Sequence, residues 1–344
     1  MKVMIFRFSA IGDVAMTIPV LQALLNTYDD VEIVVVSRPF FEPFFKNLPR
    51  TEFIGVDLKQ KYKGLPGLFR LYRFLKNKQP DAIADLHDVL RTKILRTFFR
   101  LGGFSKIAVI DKGRAEKKTL TRLQNKILKP LKTTHQRYAE VFEKLGYTID
   151  LKRFKPKLPD LSNQTKLFLA PLLDKKIMGI APFAAHEGKQ YPIEKIKETI
   201  RMLLEKDNKI VILLFGGGSR EKKLLDELEQ IDRNRIVNVA GVFSFEEELQ
   251  IISRLQVMLS MDSGNGHLAA LYGVPVVTIW GATHPYAGFA AFNQPAENQI
   301  LPDLKQFPQL PTSVYGNKTF EGFEKVWETI KPKEVVDKIL RLIH

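Results

Sequence analysis

Residues 254–285, RLQVMLSMDSGNGHLAALYGVPVVTIWGATHP, follow an order that a parallel sheet accommodates best. The run Val257–Met261 lacks polar alternation, as a strand covered on both faces requires, and a second such run follows Gly273. Between them lie a polar, glycine-rich turn at 262–267 and a short stretch of helical spacing. Strand, helix and strand joined this closely form the βαβ unit of a doubly wound sheet. The turn also suggests chemistry. Gly264 and Gly266 let backbone approach a ligand, and a helix beginning there aims unpaired N–H groups and its positive dipole end at one point. A phosphate or diphosphate is expected there; the plainer alternative is an ordinary strand–helix turn.

The same alternation runs through the chain. Strand-like runs at 2–8, 31–37, 53–56, 82–86 and 106–110 are separated by helical patterns. In the first helix, running to about Tyr28, Pro19 either makes a kink or sits in the first turn. Residues 155–176, with three prolines and a polar run at 162–166, read as a connector. Strands at 177–181, 210–215, 236–238 and 257–261 then restart the pattern, and helices at 323–330 and 333–343 close it. At 344 residues the chain exceeds one comfortable core. The expected fold is α/β, with two Rossmann-like, doubly wound parallel-sheet domains facing a cleft. Their expected bounds are 1–160 and 172–344, with the last helix free to pack back on the first domain.

Composition removes several function classes. A chain 45% apolar and 26% charged is expected to be soluble and globular. With no cysteine it has no disulfide, thiol nucleophile or thiolate metal site, which suits a reducing cytosol. Ser9 and Asp13 come too early for a signal peptide, and no stretch reaches the roughly 20 apolar residues of a membrane helix. The net charge of +15 is uneven: residues 1–157 hold 31 Lys/Arg and 15 Asp/Glu, the remainder 22 and 23. Nucleic acid, an acidic glycolipid at a membrane surface, or solubility alone would each account for a basic first half.

Candidate chemical groups sit where strands end. Phe8-Ser9-Ala10-Ile11-Gly12-Asp13 follows the first strand and sets a carboxylate at the carboxyl edge of the sheet, where α/β ligands bind. Asp13 is either a helix N-cap or a general base facing a substrate hydroxyl. Ser9 would orient it or bind substrate, and Gly12 would let a sugar approach. In the second half, Lys189 is either a solvated surface lysine or a diphosphate clamp acting with the 262–267 turn. Gly216-Gly217-Gly218-Ser219 matches neither phosphate-loop fingerprint but ends a strand at the same edge, making Gly217 a further candidate. Asp262 binds a ligand or caps the helix, and His267 is structural or a phosphate or sugar contact. Asp85 and Asp88, flanking His87, read best as helix caps. The histidines His87, His135, His186, His284 and His344 show no metal-ligand spacing, and no Asp-x-Asp pair occurs. No metal is expected.

Four of these stretches together resemble glycosyltransferase family 9, the ADP-heptose:lipopolysaccharide heptosyltransferases. They are the FSAIGD turn, the Lys-x-aromatic-Pro element at 189–192, NVAG at 238–241 and DSGNGHLAALYGVPVV, in order over nearly the whole chain. The resemblance implies a GT-B fold and a metal-independent, inverting transferase without a cofactor, the ADP-sugar being substrate. By motif, the catalytic aspartate falls on Asp13, with Ser9 and Gly12 beside it on the acceptor side. The phosphate-binding lysine falls on Lys189, and the donor-binding turn on Asp262, Ser263, Gly264 and His267, with Gly266 a further donor-side candidate in the same turn. Residues 134–138 resemble the segment before an acceptor-side helix, making Arg137 an acceptor contact. Ala10 stands where members usually have a hydroxyl, and Gly281-Ala282-Thr283 replaces a Gly-Pro-Thr run. The implied partners are a nucleotide sugar and an anionic lipopolysaccharide core at the cytoplasmic face of the inner membrane, with peripheral membrane contact and no nucleic acid. The basic clusters at Lys59, Lys61 and Lys63 and at Arg114, Lys117 and Lys118 suit that acceptor. Two alternatives stand beside this reading: a transferase or epimerase of the same fold acting on another sugar nucleotide, and a nucleic-acid binder using the basic half.

Overall fold

The computed structural model describes residues 1–343; His344, named above among the histidines, lies outside them. The chain forms two compact units. The first comprises Met1–Lys112 and Thr134–Lys155, the second Gly113–Thr133 and everything from Pro156 onward.

In the first unit β1 (Lys2–Phe6) leads through α1 (Ile11–Ala15) and α2 (Thr17–Thr27) to β2 (Glu32–Ser37) and β3 (Thr51–Gly55). Then come α3 (Gly64–Lys76), β4 (Ala82–Asp85), α4 (Leu90–Leu101) and β5 (Ile107–Val109). The chain makes α5 (Arg114–Thr121) as part of the second unit and returns for α6 (Thr134–Glu143). The strands are parallel in the order β3-β2-β1-β4-β5. Because side chains alternate across a strand, Met4 and Phe6 face Leu68, Leu71 and Leu75 of α3 and Phe99 of α4, while Val3 and Ile5 turn to the opposite face. The expected first helix is two helices, and Pro19 lies in the first turn of α2, where its missing N–H costs nothing.

The second unit adds α7 (Asn163–Leu169), β6 (Lys176–Ala181), α8 (Ile193–Lys206), β7 (Ile210–Leu214) and α9 (Gly218–Glu229). It continues with β8 (Ile236–Asn238), α10 (Phe245–Ile252), β9 (Val257–Met261), α11 (Gly264–Leu271), β10 (Val276–Ile279), β11 (Gln299–Ile300) and α12 (Pro332–Leu340). Its sheet is also parallel, in the order β11-β10-β9-β6-β7-β8. Strands of Val, Ile, Leu and Met, buried on both faces, give the unalternating runs seen in the sequence.

Several expectations change. The expected boundary near residue 160 misses the excursion at 113–133, which folds with the second unit. Lys126 Nζ donates to the Gln309 and Pro311 carbonyls, and Leu131 N–H to the Tyr286 carbonyl at 3.0 Å. Charge therefore divides differently: the first unit has 23 basic and 14 acidic residues, the second 30 and 24. The last helix packs within the second unit, where Val335, Val336 and Ile339 share the core with Ile196, Ile200 and Leu203 of α8. The connector contains α7, begun by Ser162, whose Oγ accepts from Thr165 N–H at 3.1 Å. Pro39–Phe44 and Phe323–Thr329 are 3₁₀ rather than α, and Pro43 withholds a donor inside the first. Among the described residues no helix is long and apolar enough to cross a membrane.

Candidate active site

Each sheet presents candidate groups at its carboxyl edge. In the first unit, β1 runs into the 7–10 turn and α1, whose first turn carries Asp13. Asp13 Oδ2 is engaged twice: it accepts from Ala10 N–H at 3.2 Å and pairs with an Arg7 guanidinium nitrogen at 2.6 Å. Oδ1 has no hydrogen-bond partner among the described residues, and the side chain is 31% exposed. Asp13 is not the N-cap of α1, a place Ala10 takes; from the third helical position it braces the first turn with Oδ2 and leaves Oδ1 uncommitted.

Arg7 is the residue the sequence reading missed. It follows a buried strand, is 6% exposed, donates to the Leu86 carbonyl at 2.8 Å and lies 5.8 Å from the centre of the Tyr138 ring. Tyr138 in turn donates its hydroxyl to the Asp13 carbonyl at 3.2 Å. Its own pKa is pushed up, chiefly by burial. The visible signal was a charge inside the apolar run KVMIFRF; a buried guanidinium needs an anionic partner.

Ser9 Oγ lies 3.5 Å from His87 Nε2. Phe8 N–H donates to His87 Nδ1 at 3.3 Å, so the ring proton belongs on Nε2, facing the serine. Burial, then the Arg7 charge, lowers the His87 pKa to about 3, so the imidazole is neutral at physiological pH. Asp85 and Asp88 are not helix caps, since Val89 occupies that position of α4. Instead Asp85 Oδ1 accepts from the N–H groups of His87 and Asp88, both at 2.9 Å, and Arg96 bridges the two carboxylates at 3.2 and 3.1 Å. Gly12 is buried within α1. Arg137 lies inside α6 rather than before it and is 2% exposed, its guanidinium directed at the Asp111 carbonyl and carboxylate at 3.3 and 3.9 Å. That burial makes it a support of the loop after β5.

In the second unit the ends of β6, β9 and β10, neighbours in the sheet, bring Lys189, Asp262 and Thr283 together. Lys189 Nζ lies 3.2 Å from Asp262 Oδ2, which also accepts from Thr283 Oγ1 at 2.8 Å. Both charged side chains are largely buried. Ser263 precedes α11, yet its Oγ makes no capping bond and has no partner although buried. An uncommitted hydroxyl at a helix N-terminus is a ready donor to an anion. Ser263, Gly266 and His267 line a small pocket with Asp262, Trp280 and Phe289. Gly266 serves a different end than expected: a Cβ there would meet Ser260 Oγ at 2.6 Å, so the glycine lets α11 lie close on β9. Gly188 likewise permits the contact in which its carbonyl accepts from Ala282 N–H at 2.7 Å, tying the lysine loop to the loop after β10. Gly217 is exposed with open space before it, at the start of α9, and its N–H is already given to Glu221 at 2.8 Å. Among the described residues no group of three or more His, Asp or Glu is arranged to hold a metal ion.

The model of the family "Glycosyltransferase family 9 (heptosyltransferase)" matches residues 68–311, more than two thirds of the chain. The chain belongs to glycosyltransferase family 9. The protein is accordingly an enzyme, a glycosyltransferase. It is 27% identical over 298 residues to lipopolysaccharide heptosyltransferase 1 of Campylobacter coli, covering 83% of this chain and 85% of that one. It is 24% identical over 284 residues to the lipopolysaccharide core heptosyltransferase OpsX of Haemophilus influenzae, covering 82% and 79%. Among solved structures, E. coli heptosyltransferase WaaC with ADP superposes with a TM-score of 0.68 at 20% identity over 99% of both chains. At that identity the likeness is one of fold, and the two helix-flanked parallel sheets of this glycosyltransferase are those of the GT-B class.

Proposed function

We propose that this glycosyltransferase moves a heptose from ADP-heptose to a lipopolysaccharide inner-core hydroxyl with inversion at the anomeric carbon. The observation that carries the reading is the divided carboxylate of Asp13, one oxygen held by Arg7 and the other open. Oδ1 takes the proton of the acceptor hydroxyl as its oxygen bonds to the anomeric carbon. The bond from that carbon to the diphosphate oxygen breaks on the opposite face, and ADP leaves. Lys189, the N–H groups beginning α11 and the Ser263 hydroxyl meet the charge gained by the diphosphate, an electrostatic role requiring neither metal nor cofactor. Asp262 and Thr283 hold Lys189 in place. Ser9 faces the acceptor, and the basic loop at Lys59, Lys61 and Lys63 meets its anionic groups. ADP as the nucleotide is supported by the ADP bound to the structurally similar WaaC, and heptose and lipopolysaccharide by the names of the relatives. The acceptor's lipid places the enzyme at the cytoplasmic face of the inner membrane, in peripheral contact.

The test is product analysis with ADP-, UDP- and GDP-sugars, with and without a core acceptor. Acceptor-dependent release of ADP from ADP-heptose, with an inverted linkage by NMR, is expected. Consumption of the donor without acceptor would make the enzyme an epimerase or hydrolase and overturn the reading.

A further inference from the structure

We propose that the outer face of α3 and α4 in the first unit is a docking surface for an anionic phospholipid bilayer, a proposal that rests on the peripheral-membrane part of the reading above and deepens it. The two helices pack side by side on one face of the sheet. Together they carry seven Lys or Arg residues and no Asp or Glu. Arg96 is buried and spent on Asp85 and Asp88; Arg70, which donates to the Lys61 carbonyl at 2.9 Å, Lys93, 3.9 Å from Asp88, and Arg73, Lys76, Arg91 and Arg100 are exposed.

Between these cations lies exposed apolar surface. Leu90, Ile94, Phe98 and Leu101 recur along α4 at positions that share a face, and Leu90 and Leu101 are 73% and 81% exposed. On α3, Leu65 and Phe69 are 61% and 47% exposed, and the Phe69 ring meets Phe98 edge-on at 5.4 Å, joining the two stripes. Helices facing only water would place polar groups at these positions. Apolar side chains flanked by Lys and Arg on helices about 20 Å long form the pattern of an interfacial surface, the former entering the acyl boundary and the latter meeting phosphates. A nucleic acid would satisfy the charges and leave the leucines in water. The surface also continues into the acceptor region, because α3 begins where the Lys59, Lys61 and Lys63 loop ends. A lipid-borne acceptor would thus be presented beside the loop that binds it.

The test is flotation of the full-length enzyme with vesicles of phosphatidylcholine alone or mixed with phosphatidylglycerol. Binding is expected only with the anionic lipid and should weaken with salt. Each cation near such a surface is worth roughly a factor of five in affinity, so Arg73→Gln with Arg100→Gln should lose about thirtyfold. Leu90→Ser with Leu101→Ser should remove the portion of binding that survives high salt. Thermal melting checks that each variant folds, and transfer to a lipid-free acceptor fragment should stay at the wild-type rate. Absent binding, equal binding to both vesicle types, or undiminished binding by the arginine double variant would overturn the proposal. Vesicle binding of the expected kind by a protein that transfers no sugar would instead overturn the proposed function and leave the docking surface standing.

Discussion

The two sheets are built alike, and the helices that cover them are not. In the second unit α8 and α9 carry seven basic and seven acidic residues, whereas α3 and α4 in the first carry seven basic and none acidic. Both pairs bury an apolar stripe on a parallel sheet, so folding does not demand the difference. Mixed charge along α8 and α9 suits helices with solvated faces, with local pairs such as Lys197 with Glu194 at 2.8 Å. Charge of one sign repels itself, a cost that an anionic partner offsets. The strand-end loops show a complementary contrast. The first unit offers an open carboxylate with a cation behind it; the second offers a cation with a carboxylate behind it, beside a helix N-terminus. In the proposed reaction one arrangement accepts a proton and the other an anion.

The largest effects should come from exchanging those roles. Asp13→Asn keeps the shape and removes the base, and should lower kcat about a thousandfold while nucleotide affinity by calorimetry stays within error. A variant that turns over at near the wild-type rate would end the assignment. Lys189→Ala should do the converse, weakening ADP binding about thirtyfold, as expected for a lost hydrogen bond between charged groups. Unchanged ADP affinity would remove that lysine from the site and blur the division of labour.

How much of this was legible beforehand follows a physical line. Doubly buried strands announce themselves, because Val257–Met261 and Val276–Ile279 have no polar face to hide. Strand ends follow from the fold, so Asp13, Lys189 and Asp262 could be set at the carboxyl edges of the sheets by position. What the sequence concealed were pairings across distance. Nothing local links Arg7 to Leu86, or Thr283 to Asp262, and the excursion at 113–133 is drawn to the second unit by contacts such as Lys117 over the Phe289 ring at 4.0 Å. The packing role of Gly266 was hidden for a related reason. A glycine needed for helix–strand packing and one needed for ligand approach look identical until Ser260 is seen beneath it.

A pH experiment sharpens the comparison within the first unit. Burial and Arg7 lower the His87 pKa from 6.5 to about 3, so the unfolded chain takes up a proton in acid that the folded one refuses. Stability from this group is intact above about pH 6.5 and falls as pH drops toward 3, by up to about 3 kcal/mol near pH 4. His87→Asn should flatten that acid limb in urea titrations. An unaltered limb would place the acid sensitivity elsewhere, with His284 of the second unit, lowered to about 4 by burial and Lys126, as the next group to replace.

The smallest effect tests the second unit's cradle. Adding one methyl at Gly266 drives a Cβ to within 2.6 Å of Ser260 Oγ, and α11 must lift from β9 or the serine must turn. Overpacking of this kind costs about 1–3 kcal/mol. Gly266→Ala should therefore lower the melting temperature by a few degrees. Because the N–H groups proposed to meet the diphosphate ride on the same helix, ADP affinity should fall with it. Pairing Gly266→Ala with Ser260→Ala removes the obstructing oxygen and should restore both together. Recovery of stability without recovery of ADP binding would mean that Gly266 touches the nucleotide itself, returning it to the ligand-facing role its place in the turn first suggested.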